Sequence, residues 1–145
     1  MSYNVMILDD DREAAEQVRL RLEQAGLDRI DIIADVHAAI AMLRAKKYHV
    51  LLADMDMPDM DGVEILRKVR QYDPMTQVIM MTEHSTIDRV LTCLELGAND
   101  YVLKPFKNDE YLTDIIRAAV GKLERWKEAV AGTVLKEKQL ADAVQ

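Results

Sequence analysis

Val50-Leu-Leu-Ala-Asp-Met-Asp-Met-Pro-Asp-Met-Asp-Gly62 is the stretch whose reading decides the fold. Four apolar residues, Val50 to Ala53, run without alternation into a carboxylate, Asp54. A short apolar run of that kind predicts a strand covered on both faces, as in a parallel sheet. Pro58 and Gly62 then mark a loop. Beyond it Ile65, Leu66 and Val69 recur at helical spacing until Asp73-Pro74 ends the pattern.

The same unit repeats in both directions. Upstream, residues 3–8 predict a buried strand, followed by a helix carrying Ala15, Val18, Leu22 and Ala25 and stopped at Gly26. Residues 31–34 predict a second strand; Asp35 is placed to cap a helix with Val36, Ala39, Ile40 and Leu43. Downstream, residues 78–81 predict a fourth strand. Ser85 is the expected cap of a helix carrying Ile87, Val90, Leu91 and Leu94, closed by Gly97. Residues 101–103 predict the fifth strand, Lys104-Pro105 breaks the chain, and Asn108 is the expected cap of the last helix. Strands and helices in strict alternation predict an α/β fold: a doubly wound, five-stranded parallel sheet of the flavodoxin-like kind, strand order 2-1-3-4-5. Ligands of such sheets bind beyond the carboxyl ends of the strands, near the switch in strand order.

The last helix is longer than the sheet requires. Its pattern of Leu112, Ile115, Ile116, Ala119, Leu123 and Trp126 continues through Val130, Val134, Leu140 and Val144, though Gly121 and Gly132 weaken it. The expected division is a globular domain over 1–123 and a helical extension or linker over 124–145, with Trp126 as a packing anchor. A homodimer along this helix is permitted, but Thr133 and Glu137 interrupt the seam.

Composition narrows the function. A net charge of −7 argues against nonspecific nucleic-acid binding and against an anionic membrane surface. Charges over 121–145 nearly balance, which is no nucleic-acid footprint. The single cysteine, Cys93, fits a reduced, cytoplasmic setting. No basic start leads the chain, and its apolar runs are too short to span a bilayer. His37 and His49 lie away from the expected ligand edge and are read as surface or helix-end residues, and the nine methionines as packing.

Four polar positions fall on that edge: Asp9-Asp10-Asp11 after strand one, Asp54 after strand three, Thr82 after strand four and Lys104 after strand five. Each alone has a plain explanation. An acidic triplet before a helix caps it and complements its dipole; an acidic loop is solvated; a threonine ends a strand; a lysine lies on a surface. Together they mean more. Clustered carboxylates repel and require a cation or a proton. A hard-oxygen cluster suits Mg²⁺. An aspartate between such a cation and a fixed lysine is placed to attack phosphorus, its partners neutralising the oxygens of the transferring group.

Met6-Ile-Leu-Asp-Asp-Asp11, Asp54-Met-Asp-Met-Pro-Asp-Met-Asp-Gly62, Val78-Ile-Met-Met-Thr82 and Gly97-Ala-Asn-Asp-Tyr-Val-Leu-Lys-Pro-Phe106 resemble the receiver domains of bacterial two-component response regulators over about residues 3–123. The resemblance implies that Asp54 is the phosphoacceptor. It implies that Asp10 ligates Mg²⁺ directly, Asp9 through water, and Asp56 through its backbone carbonyl. Lys104 would pair with the phosphoryl group, and its bond to Pro105 would be cis. Thr82 would turn its hydroxyl to the phosphoryl group and Tyr101 would change rotamer in response, altering the face made by helix four, strand five and helix five. The phosphodonor would be a histidine kinase, a phosphotransfer protein or a small acyl phosphate; the target, an output domain or separate protein. Such a chain is a signalling phosphoacceptor that catalyses only its own phosphorylation and dephosphorylation.

Glu83 stands where receivers usually carry a small residue. Together with Asp56 and His84 it is expected to set the lifetime of the phosphorylated state. Three rival readings are weaker. A haloacid-dehalogenase-type phosphatase also uses Asp-x-Asp, but at its first strand, and leaves the early acids and Lys104-Pro-Phe unexplained. A calcium loop would need an acid at its twelfth position, where Ile65 or Arg67 stands. A phosphate-independent binding module has no use for the full set of acids, Thr82 and Lys104.

Overall fold

The computed structural model describes residues 2–144. In chain order the elements are β1 (Asn4–Leu8), α1 (Arg12–Gln24), β2 (Arg29–Ile33), α2 (Val36–Ala45), β3 (Val50–Asp54), α3 (Gly62–Tyr72), β4 (Gln77–Thr82), α4 (Ile87–Glu95), β5 (Asp100–Leu103) and α5 (Asp109–Val144). All pairings are parallel, in the order β2-β1-β3-β4-β5. The expected doubly wound sheet is therefore the one observed.

Alternation along each central strand builds two cores. Val5, Ile7, Val50, Leu52, Ile79 and Met81 face α1 and α5. Met6, Leu8, Leu51, Ala53, Val78 and Met80 face α2, α3 and α4. Both faces are apolar, so these strands read as unbroken runs. Edge strands differ: β2 is only half-buried, and β5 has one fully buried residue, Val102. β2 also starts earlier than expected. Arg29 and Ile30 pair with Asn4 and Val5, so the ladder with β1 sets its bounds, and polar residues on an open edge hide them from hydropathy.

Caps follow local chemistry. Asp11 and Asp35 accept backbone N–H groups at the starts of α1 and α2, and Asn108 accepts from Tyr111 N at 2.9 Å. The expected cap of α4 needs correction. Thr86, not Ser85, accepts from Arg89 N at 3.2 Å, while Ser85 Oγ lies 3.0 Å from the Tyr101 hydroxyl. α4 also carries its larger apolar residues outward: Ile87, Leu91 and Leu94 are exposed and Cys93 is buried.

α5 runs 36 residues as one helix. Leu112, Ile116, Ala119, Val120 and Leu123 cover the sheet, and Tyr3 donates its hydroxyl to Glu124. From Arg125 to Val144 every residue is exposed. Trp126 is 53 % exposed, so it anchors no packing: the sheet ends before the helix reaches it. The expected helical continuation is thus present to Val144, and residue 145 lies outside the described residues. Among the described residues no helix is long and apolar enough to cross a membrane.

Candidate functional site

The carboxyl ends of β1, β3, β4 and β5 meet in one place. β1 and β3 are neighbours whose following helices lie on opposite faces, and the crevice there receives Asp9 and Asp10 from one strand end and Asp54 from the other. Carboxylate oxygens of Asp9, Asp10 and Asp54 all lie within 4.8 Å of one another. The third acid of the triplet does something else: Asp11 caps α1, and its N–H donates to Asp9 Oδ1 at 3.0 Å. The triplet is therefore divided: Asp11 serves as the helix cap, and Asp9 and Asp10 lie in the carboxylate cluster with Asp54.

Lys104 closes the opposite side. Its Nζ donates to Asp9 Oδ2 at 2.9 Å and lies 3.7 Å from Asp54 Oδ2. Its bond to Pro105 is cis. Burial pulls the Lys104 ammonium down, but the Asp9 hydrogen bond and the charges of Asp54, Asp9 and Glu83 outweigh burial and leave its pKa raised. The lysine is a permanent cation here. The Asp54 carboxyl is also raised, chiefly by burial and further by Asp9 and Asp56, against the Asp56 N–H and Lys104. Asp54 Oδ1 accepts that N–H at 2.9 Å, which fixes the carboxylate plane.

A second cluster adjoins the first. The Thr82 hydroxyl donates to Asp56 Oδ2 at 2.8 Å and accepts from His84 N at 2.9 Å. His84 Nδ1 lies 3.5 Å from the same Asp56 oxygen, on an exposed ring. Arg89, from α4, reaches Asp56 Oδ1 at 3.2 Å and Met55 O at 3.3 Å, and also donates to His84 O. Burial would raise the Asp56 carboxyl, but hydrogen bonds from Thr82, Arg89 and His84 and the Arg89 charge hold it below the usual range. Glu83 is exposed and acts on Lys104 through its charge. Tyr101 is half-buried beside Ser85.

Sequence reasoning brings every residue of these clusters to this edge except Arg89. A surface arginine on an amphipathic helix carries no signal of its own; only the geometry of α4 against the β3–α3 loop reveals it. The histidines set aside by sequence stay apart from the clusters. His37 is exposed, and His49 Nδ1 accepts from Asn4 N at 3.0 Å.

Comparison with known proteins agrees with this geometry. The family model of the response regulator receiver domain matches residues 5–117. The chain is 37 % identical over 114 residues to the DNA-binding transcriptional regulator NtrC of Salmonella typhimurium, covering 79 % of this chain and 24 % of that protein. It is 34 % identical over 117 residues to the transcriptional regulatory protein YkoG of Bacillus subtilis, covering 81 % of this chain and 50 % of that one. It therefore spans half or less of the length of these relatives. A CheY-like receiver domain from Methanospirillum hungatei superposes with a TM-score of 0.79 at 27 % identity, covering 85 % of this chain and 97 % of that one.

Proposed function

We propose an aspartyl-phosphate switch centred on Asp54 for this chain, which belongs to the response regulator receiver domain family of two-component signal transduction. The observation that carries the proposal is one buried carboxylate, Asp54, gathered with two further acids within 4.8 Å and with the Lys104 ammonium, which lies 3.7 Å from it and 2.9 Å from Asp9.

The donor set is all hard oxygen and closely spaced, which fits Mg²⁺. Asp9, Asp10, Asp54 and the backbone carbonyl of Asp56 would hold that ion; when bound it neutralises the oxygens of the transferring group. The chain's own residues do the rest. The Asp56 N–H orients the Asp54 carboxylate, and an Asp54 oxygen attacks phosphorus. The bond from phosphorus to the donor breaks, its electron pair leaving with the donor, and an acyl phosphate remains on Asp54. Lys104 balances charge on the phosphoryl oxygens. Thr82 turns its hydroxyl from Asp56 to the phosphoryl group, and Tyr101 follows, changing the face of α4, β5 and α5.

A histidine kinase or phosphotransfer protein is the donor in this reading, an output domain or separate protein the target. Residues 1–123 form the receiver and 124–145 the helical extension or linker, along which a homodimer is one arrangement. The setting is cytoplasmic, in keeping with the free, buried Cys93. Glu83, His84 and Asp56 set the lifetime of the acyl phosphate, because they flank the approach of water; unchanged dephosphorylation in Glu83→Ala and His84→Ala would refute that role.

Incubation with Mg²⁺ and acetyl phosphate, followed by intact mass spectrometry, tests the central claim. The expected result is one phosphoryl adduct, absent in Asp54→Asn and absent without Mg²⁺. No adduct from acetyl phosphate or a phosphorylated kinase would overturn it in favour of a phosphate-independent module.

A further inference from the structure

The phosphorylation site has an unfavourable charge balance for an anionic donor. Asp9, Asp10 and Asp54 are clustered, Asp56 follows two residues on, and Glu83 stands exposed beside Lys104. Lys104 is already shared between Asp9 and Asp54 at 2.9 and 3.7 Å, so it leaves Asp56 uncompensated. The cation that reaches Asp56 comes from elsewhere in the fold, the first turn of α4.

Resting on the phosphoacceptor reading above, we infer that Arg89 is a positioning residue for phosphorylation: it fixes and neutralises the Asp56 carboxylate, so that an incoming phosphate can approach Asp54. Three observations support it. Its guanidinium touches Asp56 Oδ1, Met55 O and His84 O, and so ties the loop after β3 to the loop after β4. A planar fork with several fixed donors does this where a lysine ammonium would not. Its backbone is rooted, since Arg89 N donates to the Thr86 cap. The contact lies at the surface but is partly covered, with 23 % of the Arg89 side chain and 28 % of the Asp56 side chain exposed. The ion pair is therefore screened less than an open surface pair.

Thr82 gives this pairing a further use. A hydroxyl has one proton to donate. In this structure Thr82 gives it to Asp56, and when the hydroxyl turns to a phosphoryl oxygen Asp56 loses that donor. Among the described residues Arg89 is then the one permanent charge on Asp56, beside the longer 3.5 Å contact of the exposed His84 ring. It keeps the carboxylate compensated in both arrangements and makes the start of α4 part of the reaction site.

The test is a double-mutant cycle on the full chain. Initial rates of adduct formation with acetyl phosphate and Mg²⁺ are read by intact mass in the parent, Arg89→Ala, Asp56→Asn and the double variant. Arg89→Ala is expected to slow phosphorylation about tenfold, as loss of a compensating charge near an anion site does. In the Asp56→Asn background the same change is expected to alter the rate less than about twofold. An unchanged rate in Arg89→Ala, or an equal loss in both backgrounds, would overturn the inference, the latter leaving Arg89 only a loop pin. If Arg89→Ala does not fold, Arg89→Lys and Arg89→Gln replace it. Lysine is expected to retain more activity than glutamine, and equal rates would overturn the inference. No adduct on the parent would overturn the phosphoacceptor reading and this inference together.

Discussion

A Cβ added to Gly62 would meet Met55 Cα at 2.7 Å and Met55 Cβ at 2.9 Å. The obstacle is backbone, so it cannot rotate aside, and Met55 follows directly on Asp54. Gly62→Ala is expected to destabilise the fold by about 1–3 kcal/mol, the usual cost of forcing a core apart. It is also expected to slow adduct formation, because Met55 carries the Asp54–Asp56 turn. Urea unfolding and the mass assay check both; an unchanged urea midpoint would mean that α3 shifts freely. The residues that sequence revealed are those whose place follows from the fold class: Asp9, Asp54, Thr82 and Lys104 stand at or directly after the carboxyl ends of strands that border the crevice. Asp11 and Ser85 show the limit. Both stand one residue from a competing polar side chain, and which of the two caps a helix depends on backbone geometry that residue type does not encode. Arg89 lies further out of reach, since two of its partners come from the loop after β3, more than thirty residues upstream, and the third from the loop before its own helix.

At the scale of elements, the interior strands of the sheet are legible in full, and of the edge strands β5 is found within one residue while β2 is found with its start two residues late. β1, β3 and β4 are buried on both faces, so hydropathy marks them, whereas β2 is held by its ladder to β1 and by polar contacts. One such contact joins β2 to the loop before β3. The Tyr48 hydroxyl donates to Asp31, and Lys46 adds a second contact at 3.3 Å. Tyr48 is buried and keeps its proton far above the usual range. The Asp31 carboxyl is lowered, first by the Tyr48 hydrogen bond, against a partial opposing effect of burial. A lowered carboxyl contributes stability that is present above its unfolded value, about 3.9, and is lost as pH falls through the folded value. Tyr48→Phe is therefore expected to be less stable than the parent at neutral pH, by about 1 kcal/mol for one hydrogen bond. The gap should narrow below about pH 4 as Asp31 takes up its proton. Urea midpoints of both proteins across that range check it, and a gap independent of pH would place the loss in packing instead. α4 and the far part of α5 mislead hydropathy for a different reason. Their apolar residues are spaced as a helix face should be, but spacing does not say whether a face has a partner, and here Leu91, Leu94, Trp126 and Val130 face outward.

At the scale of the whole molecule, the charge of −7 is unevenly used. Much of the repulsion that matters is concentrated where Asp9, Asp10 and Asp54 meet, and folding creates that cluster by bringing the ends of β1 and β3 together. In the unfolded chain Asp54 is separated in sequence from the other two and the cluster does not exist. A divalent cation held there binds the folded state and not the unfolded one, so it must stabilise the entire domain by mass action. The gain is about 2.7 kcal/mol when the cation is present at about a hundred times its dissociation constant. The thermal midpoint is expected to rise with added Mg²⁺ and to level off only logarithmically. General screening of a negatively charged protein would also raise the midpoint, and two comparisons separate the effects. NaCl at matched ionic strength is expected to give a smaller rise, because screening acts on all charges alike. Asp9→Asn is expected to lose the Mg²⁺-specific part and keep the salt-dependent part, since it removes one of the three clustered carboxylates while changing the net charge by a single unit. Equal shifts with the two salts, or an undiminished Mg²⁺ response in Asp9→Asn, would show that the acids are tolerated by the fold without a cation and that the switch must draw its charge balance from Lys104 and Arg89 alone.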